Sequence, residues 1–203
     1  MKTVAAVMSA AIVVTAGAAF ACGNSMRFRE RDESMVAKAS KAYREGNYAV
    51  AAELSKAALP GESTAAGRRA LLRTNGLANL KLGNFAQSSS SFTLLAEENK
   101  EPFVRVKLAE SQLRAAQASD STDEAAKASL EKFASEGMLS DADAWAALAR
   151  ARAKSGDDAG ARVACDEALT VQVGHPEATQ VLTTLSVPKA KPSREPVKPS
   201  SKS

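Results

Sequence analysis

Small and apolar residues recur along this chain three and four positions apart, which is the spacing of one helical face. Residues 143–154 show the pattern best, with positions i, i+3, i+4 and i+7 held by Trp145, Leu148, Ala149 and Arg152. Ser155-Gly156-Asp157 interrupts this run, and a second helical run then continues to Gly174-His175-Pro176. The pattern predicts a helix, a tight turn and a second helix, because glycine and proline end helices.

A short turn of small polar residues occurs three times along the chain. Its copies are Gly46-Asn47-Tyr48, Gly83-Asn84-Phe85 and Gly156-Asp157-Asp158. The first two glycines are 37 residues apart and the third lies 73 further on, close to two more periods. Helix, turn and helix at a period in the mid-thirties is typical of a helical solenoid.

The period divides the chain into units of unequal regularity. The first spans roughly 32–64 and ends at Pro60-Gly61, and the second spans roughly 67–100. Residues 101–136 fill the next period but lack a turn glycine, having Ser119-Asp120-Ser121 instead, and we interpret them as a degenerate third repeat. A fourth unit and a short closing helix at 177–186 complete the prediction. We therefore expect an all-α, right-handed solenoid of about four helical hairpins over residues 32–186.

The last unit resembles a tetratricopeptide repeat. The matching positions are Trp145, Leu148, Ala149, Gly156-Asp157, Ala161, Ala168 and Pro176. The chain departs from the family pattern at Arg152 and Asp158, which replace tyrosines, and at Cys165, which replaces an aromatic residue. The resemblance covers about three-quarters of the chain. It implies a protein-binding surface on the concave side, lined by the first helix of each unit.

One set of positions within that implied groove is basic. Two residues before each turn glycine stand Arg44, Lys81 and Lys154. The neighbouring groove positions are Tyr43, Arg73, Leu77, Leu80 and Arg150. Together they predict a mildly basic strip suited to an acidic or C-terminal peptide. The alternative is that these cations only complement the helix dipole. The carboxylate clamp of the family also uses asparagine, whereas Asn75 and Asn79 fall on other faces here.

The composition favours helices, and the distribution of charge argues against a nucleic-acid-binding domain. The chain is 45% hydrophobic but only 4% aromatic, which suits closely packed Ala- and Leu-rich helices. Its net charge is +4, and residues 187–203 account for all of it, with five basic residues against Glu195. The rest is neutral, so we expect no specific nucleic-acid partner. The Lys/Pro/Ser-rich segment 187–203 is predicted to be a disordered tail, either simply solvated or touching anionic envelope surfaces.

The first 21 residues predict export. A positive residue, an apolar stretch and Ala19-Phe20-Ala21 are typical of a signal peptide cut before Cys22, with a cut after Ala18 or an uncleaved anchor as alternatives. Residues 22–31 would then form a charged linker. Cys22 stands where bacterial lipoproteins receive their lipid, although Ala19 and Phe20 depart from that motif. The expected location is the periplasm or cell envelope of a bacterium, or else the extracellular space.

The sequence shows no catalytic or metal-binding arrangement. His175 is the only histidine and is interpreted as a helix-end residue. Cys22 and Cys165 could pair after export, but a buried, free Cys165 is the simpler interpretation. The carboxylates Asp120, Asp123 and Glu124 stand at a helix start, where they favour the helix dipole. We therefore expect no cofactor, no metal and no enzyme activity.

These inferences combine into one functional hypothesis. The protein would be a non-catalytic scaffold or adaptor of the cell envelope that binds a protein or peptide on the concave face of its repeats. Two alternatives stay open: a lipoprotein anchored to a membrane through Cys22 as part of an assembly, or an accessory subunit of an envelope enzyme. Membrane contact is expected only if Cys22 is lipidated.

Overall fold

The computed structural model describes residues 34–186. The predicted signal peptide, linker, lipidation site Cys22 and tail lie outside the described residues. Within them the structure is all-helical, which confirms the all-α part of the predicted fold. Its nine described α-helices are α1 (Met35–Arg44), α2 (Tyr48–Ala58), α3 (Ala65–Lys81), α4 (Phe85–Glu98), α5 (Pro102–Ala118), α6 (Glu124–Ser135), α7 (Ala142–Lys154), α8 (Asp158–Val171) and α9 (Pro176–Ser186). None of these helices combines the length and hydropathy needed to cross a bilayer.

The helices pack in the order of the chain. Each packs against the next, and α1 also contacts α3, α5 contacts α7, and α7 contacts α9. Residues 101–136, where the repeat pattern is weakest, also form two helices, α5 and α6. In six of the described helices a side chain accepts a hydrogen bond from a backbone N–H of the first turn; these side chains are Ser34, Thr64, Asp123, Asp141, Asp157 and His175.

The first helix of every hairpin ends in the same way. Gly46, Gly83 and Gly156 have φ values of 79°, 76° and 82°, in the left-handed region that glycine adopts without strain. Each donates its N–H to the carbonyl three residues back at 3.1 Å, and the next residue donates five residues back at 2.9 Å. This pair of bonds is a Schellman motif. Asp120 takes the glycine's place after α5, with φ 54° and the same two bonds at 3.1 and 2.9 Å.

Small residues let the helices approach closely. A Cβ atom on Gly76 would lie 2.7 Å from Cε2 of Phe92, so this glycine allows α3 to pack on α4. Alanine has a similar role in α7, where most of the fully buried side chains are alanines. A side chain longer than these at the crossing would force the helix axes apart.

Helix α6 is packed less closely than the other helices. Its contacts with α5 and with α7 are sparser than those within the α3–α4 and α7–α8 hairpins. One face of α6, including Leu130 and Phe133, is nevertheless buried against α5 and α7. A cleft over α5 lies between α4 and α6 and is described below.

Candidate functional site

The structure pairs most of the predicted groove cations with carboxylates of the same chain. Lys81 Nζ lies 2.7 Å from Asp143 Oδ2, and Lys154 Nζ lies 2.8 Å from Asp120 Oδ1. Arg44 is exposed and has no ion-pair partner within residues 34–186. The helix dipole is therefore not the only interaction available to Lys81 and Lys154, because each also links two hairpins.

The neighbouring groove positions are similarly engaged. Arg73 pairs with Glu101 at 2.8 Å and lies 4.7 Å from the ring centre of Phe103. Arg150 pairs with Glu177 at 3.4 Å. Tyr43 packs against the ring of Tyr48, and its partial burial raises the pKa of its hydroxyl. Leu77 and Leu80 are partly buried against the apolar cluster between α3, α4 and α5.

A network of charged side chains, which sequence reasoning missed, joins four of the odd-numbered helices. We call it the inner network, and its members are Lys81, Lys107, Glu110, Arg114, Asp141, Asp143, Arg150, His175 and Glu177. At its centre Lys107, only 4% exposed, lies 2.7 Å from Glu110 Oε2 and also pairs with Asp141. Arg114 pairs with Glu110 at 3.2 Å and Glu177 at 2.8 Å. The described residues of this network thus connect α5 to both α7 and α9.

His175 has the helix-end role that the sequence suggests, and a second contact besides. The Ala178 N–H donates to its Nδ1 at 3.3 Å, which caps the start of α9. In the neutral ring Nε2 then carries the proton, and it donates to Asp143 Oδ1 at 3.0 Å. Asp143 accepts from Lys81 through its other oxygen. His175 is 3% exposed, so it acts as an enclosed link between α9 and α7.

Neighbouring charges favour the ionised forms of Asp143, Lys107 and Arg114 in the inner network. Burial alone would raise the pKa of Asp143, but Lys81 and His175 hold it well below its usual value. Burial alone would lower the pKa of Lys107, whereas Glu110 and Asp141 raise it. Arg114 behaves like Lys107, its pKa being raised by Glu177 and Glu110. Because these three groups stay ionised near neutral pH, their ion pairs can hold α5, α7 and α9 together.

The opposite face of α5 forms an open cleft of about 360 Å³, which we call the α5 cleft. It is lined mainly by Lys100, Arg105, Leu108, Gln112, Ser129 and Phe133. The Arg105 guanidinium carbon lies 5.3 Å from the ring centre of Phe133, which holds the cation over an apolar floor. Lys100 and Arg105 have no ion-pair partner within residues 34–186. Arg105, Leu108 and Gln112 share one helical face in the sequence, but that spacing does not reveal that α4 and α6 stand apart there.

Cys165 and Asp123, two further polar residues considered in the sequence, have roles in packing and helix capping. Cys165 is fully buried with a free thiol, and burial raises its pKa, so it behaves as a small apolar side chain. Asp123 caps α6 by accepting from the Ala126 N–H at 2.9 Å. In the part of the chain that the structure describes, no three His, Cys, Asp or Glu side chains are grouped as a metal site requires.

Comparison with protein-family models, with curated proteins and with solved structures gave no match for this chain.

Proposed function

We propose that the protein is a non-catalytic scaffold of the bacterial cell envelope that binds a protein partner through tetratricopeptide-like hairpins. The observation that supports it is the repeated hairpin: α1, α3, α5 and α7 each end in the same Schellman motif and each lead into a second helix. Hairpins that repeat one geometry and pack in chain order form an extended surface, and proteins commonly use such surfaces to hold partners.

The predicted groove remains part of this proposal, although most of its cations are already paired with carboxylates of the same chain. Lys81, Lys154, Arg73 and Arg150 would have to exchange an intramolecular carboxylate for one from a partner. Arg44 can pair with a partner carboxylate without such an exchange, since no described residue pairs with it. Arg44, together with Tyr43, is therefore the strongest groove position.

In-cell photo-crosslinking tests the scaffold proposal. A photoreactive residue would replace, one at a time, an exposed residue of each hairpin: Arg44, Glu97, Ala128 and Val163. We expect an adduct with one and the same protein from neighbouring positions on one face, and little or none from the opposite face. Reversal of Arg44 to glutamate should reduce the yield if the groove is the contact. Absence of an irradiation-dependent adduct at all four positions would overturn the scaffold proposal.

A membrane-anchored form is the second candidate, and Cys22 directly after Ala19-Phe20-Ala21 favours it. The intact mass of the mature protein distinguishes the two. A mass increase equal to a diacylglycerol group on Cys22, absent in Cys22→Ser, would establish the anchored scaffold, whereas an unmodified terminus would leave the unanchored one.

A further inference from the structure

We propose that the α5 cleft binds a peptide segment of a protein partner in which a carboxylate stands beside an apolar side chain. This inference rests on the proposed scaffold function and assigns it a site and a partner chemistry. The site is distinct from the predicted groove, since Lys107, Glu110 and Arg114 lie on the other side of α5 from Arg105, Leu108 and Gln112.

The lining of the α5 cleft contains two cations and no carboxylate. Most cations discussed above have a carboxylate of the same chain beside them, whereas Lys100 and Arg105 have none among residues 34–186. Four other clefts of similar size each contain a carboxylate, from Glu97, Glu53, Asp158 and Glu62 respectively. The lining of the α5 cleft contains none. A ligand carboxylate would therefore meet two cations there and no repelling anion.

The floor of the cleft is apolar. Leu108, which is partly exposed, supplies apolar surface next to the cations, and the buried Phe133 forms the floor beneath them. The Arg105 guanidinium lies over the Phe133 ring and has no ion-pair partner among the described residues, so its N–H groups can bind a carboxylate. The side chain of Gln112 forms no hydrogen bond with the described part of the chain, so its amide can bind a peptide backbone group. The volume suits one or two side chains, at the lower end of the range for ligand sites.

The cleft lies over α5 between α4 and α6, and α6 packs less closely on α5 than α4 does. Phe133, whose side chain is 3% exposed, is anchored in the core while the cleft lies above it. The degenerate repeat thus retains its core contacts but leaves polar and apolar groups accessible side by side.

Peptide titration followed by amide NMR on the full chain tests the inference. The probes are a blocked tripeptide with aspartate between two leucines, the same peptide with asparagine, and inorganic phosphate. We expect the aspartate peptide to shift the amides of Arg105, Gln112 and Ser129 saturably in the millimolar range. The asparagine peptide should bind at least about five-fold more weakly, because one charge-assisted pair is lost.

Two double variants of equal charge change serve as the test and its control. Lys100→Glu with Arg105→Glu should abolish the shifts, whereas Lys38→Glu with Lys41→Glu, on exposed positions of α1, should leave them. If the glutamate variant is unstable, the milder Lys100→Gln with Arg105→Gln replaces it, and this variant should weaken peptide binding several-fold. The inference would be overturned if the aspartate and asparagine peptides bound equally, or if phosphate bound equally at the same residues. Peptide binding that survived both the glutamate and the glutamine variants of Lys100 and Arg105 would also overturn it. If photo-crosslinks to a partner persist in those variants, the cleft is wrong while the scaffold function stands.

Discussion

The two faces of α5 use the same types of residue for opposite purposes. On the inner face Lys107 is almost fully buried and pairs with two carboxylates, and Arg114 also pairs with two. On the cleft face Arg105 is exposed and has an aromatic ring for a neighbour but no anion among the described residues. The difference shows that burial decides the use of a charge: a buried cation must be paired within the fold, whereas an exposed one is able to accept a partner.

Among the substitutions that test this difference between the two faces, loss of Glu110 should have the largest effect on the free energy of unfolding. Glutamine at position 110 would leave Lys107 and Arg114 buried with one fewer carboxylate each, so we expect a loss of about 3 kcal/mol in the free energy of unfolding. Urea denaturation followed by circular dichroism measures it. Glu97→Gln, an exposed carboxylate on α4, is the matched control and should change stability by less than about 0.5 kcal/mol. Equal effects of the two variants would mean that the inner network contributes no more than a surface charge.

The pH dependence of Asp143 gives a smaller effect. Its pKa lies below the ordinary value of 3.8 in the folded protein, so its ion pair stabilises the fold above that pH and ceases to do so as the pH falls further. Asp143→Asn should therefore cost up to about 1 kcal/mol at pH 7, since the pair with Lys81 is partly exposed. Parallel denaturation series from pH 7 to about pH 2 should show the two proteins converging in acid. A constant difference at every pH would contradict the assignment.

The smallest effect is expected on the cleft face. Lys100→Gln with Arg105→Gln should change the free energy of unfolding by less than about 0.5 kcal/mol, because neither cation has an ion pair to lose. The same denaturation assay measures it beside Glu110→Gln. A loss as large as that of the inner variant would show that the cleft cations stabilise the fold, and would remove the contrast between the two faces.

Much of the fold was predictable because it depends on neighbouring residues. Helical spacing and the turn glycines identify the hairpins, since a left-handed residue after a helix favours glycine whatever surrounds it. The turn between α5 and α6 could also be placed, although Asp120 stands there instead of a glycine, because Asp and Asn also tolerate the left-handed region. The prediction of His175 as a helix-end residue depends on local sequence in the same way.

The charge pairs were not predictable because they join distant segments. Lys81 and Asp143 are 62 residues apart, and His175 and Asp143 are 32 apart. Which carboxylate reaches which cation depends on how the hairpins turn relative to one another, and sequence spacing carries no information on that. The predicted basic strip therefore overlooked Asp143, Asp120 and Glu177, which lie beside three of its cations.

The order of residues along this chain was enough to set the helices, their ends and the small side chains at their crossings, because those properties depend on contacts within a few positions. The packing of the hairpins was needed to set the state of each charge. It enclosed Lys107 among carboxylates, left Arg105 in an open cleft, and did so on two sides of a single helix. The physical reason is that burial and pairing depend on neighbours in space, and for α5 those neighbours come from helices α4, α6, α7 and α9.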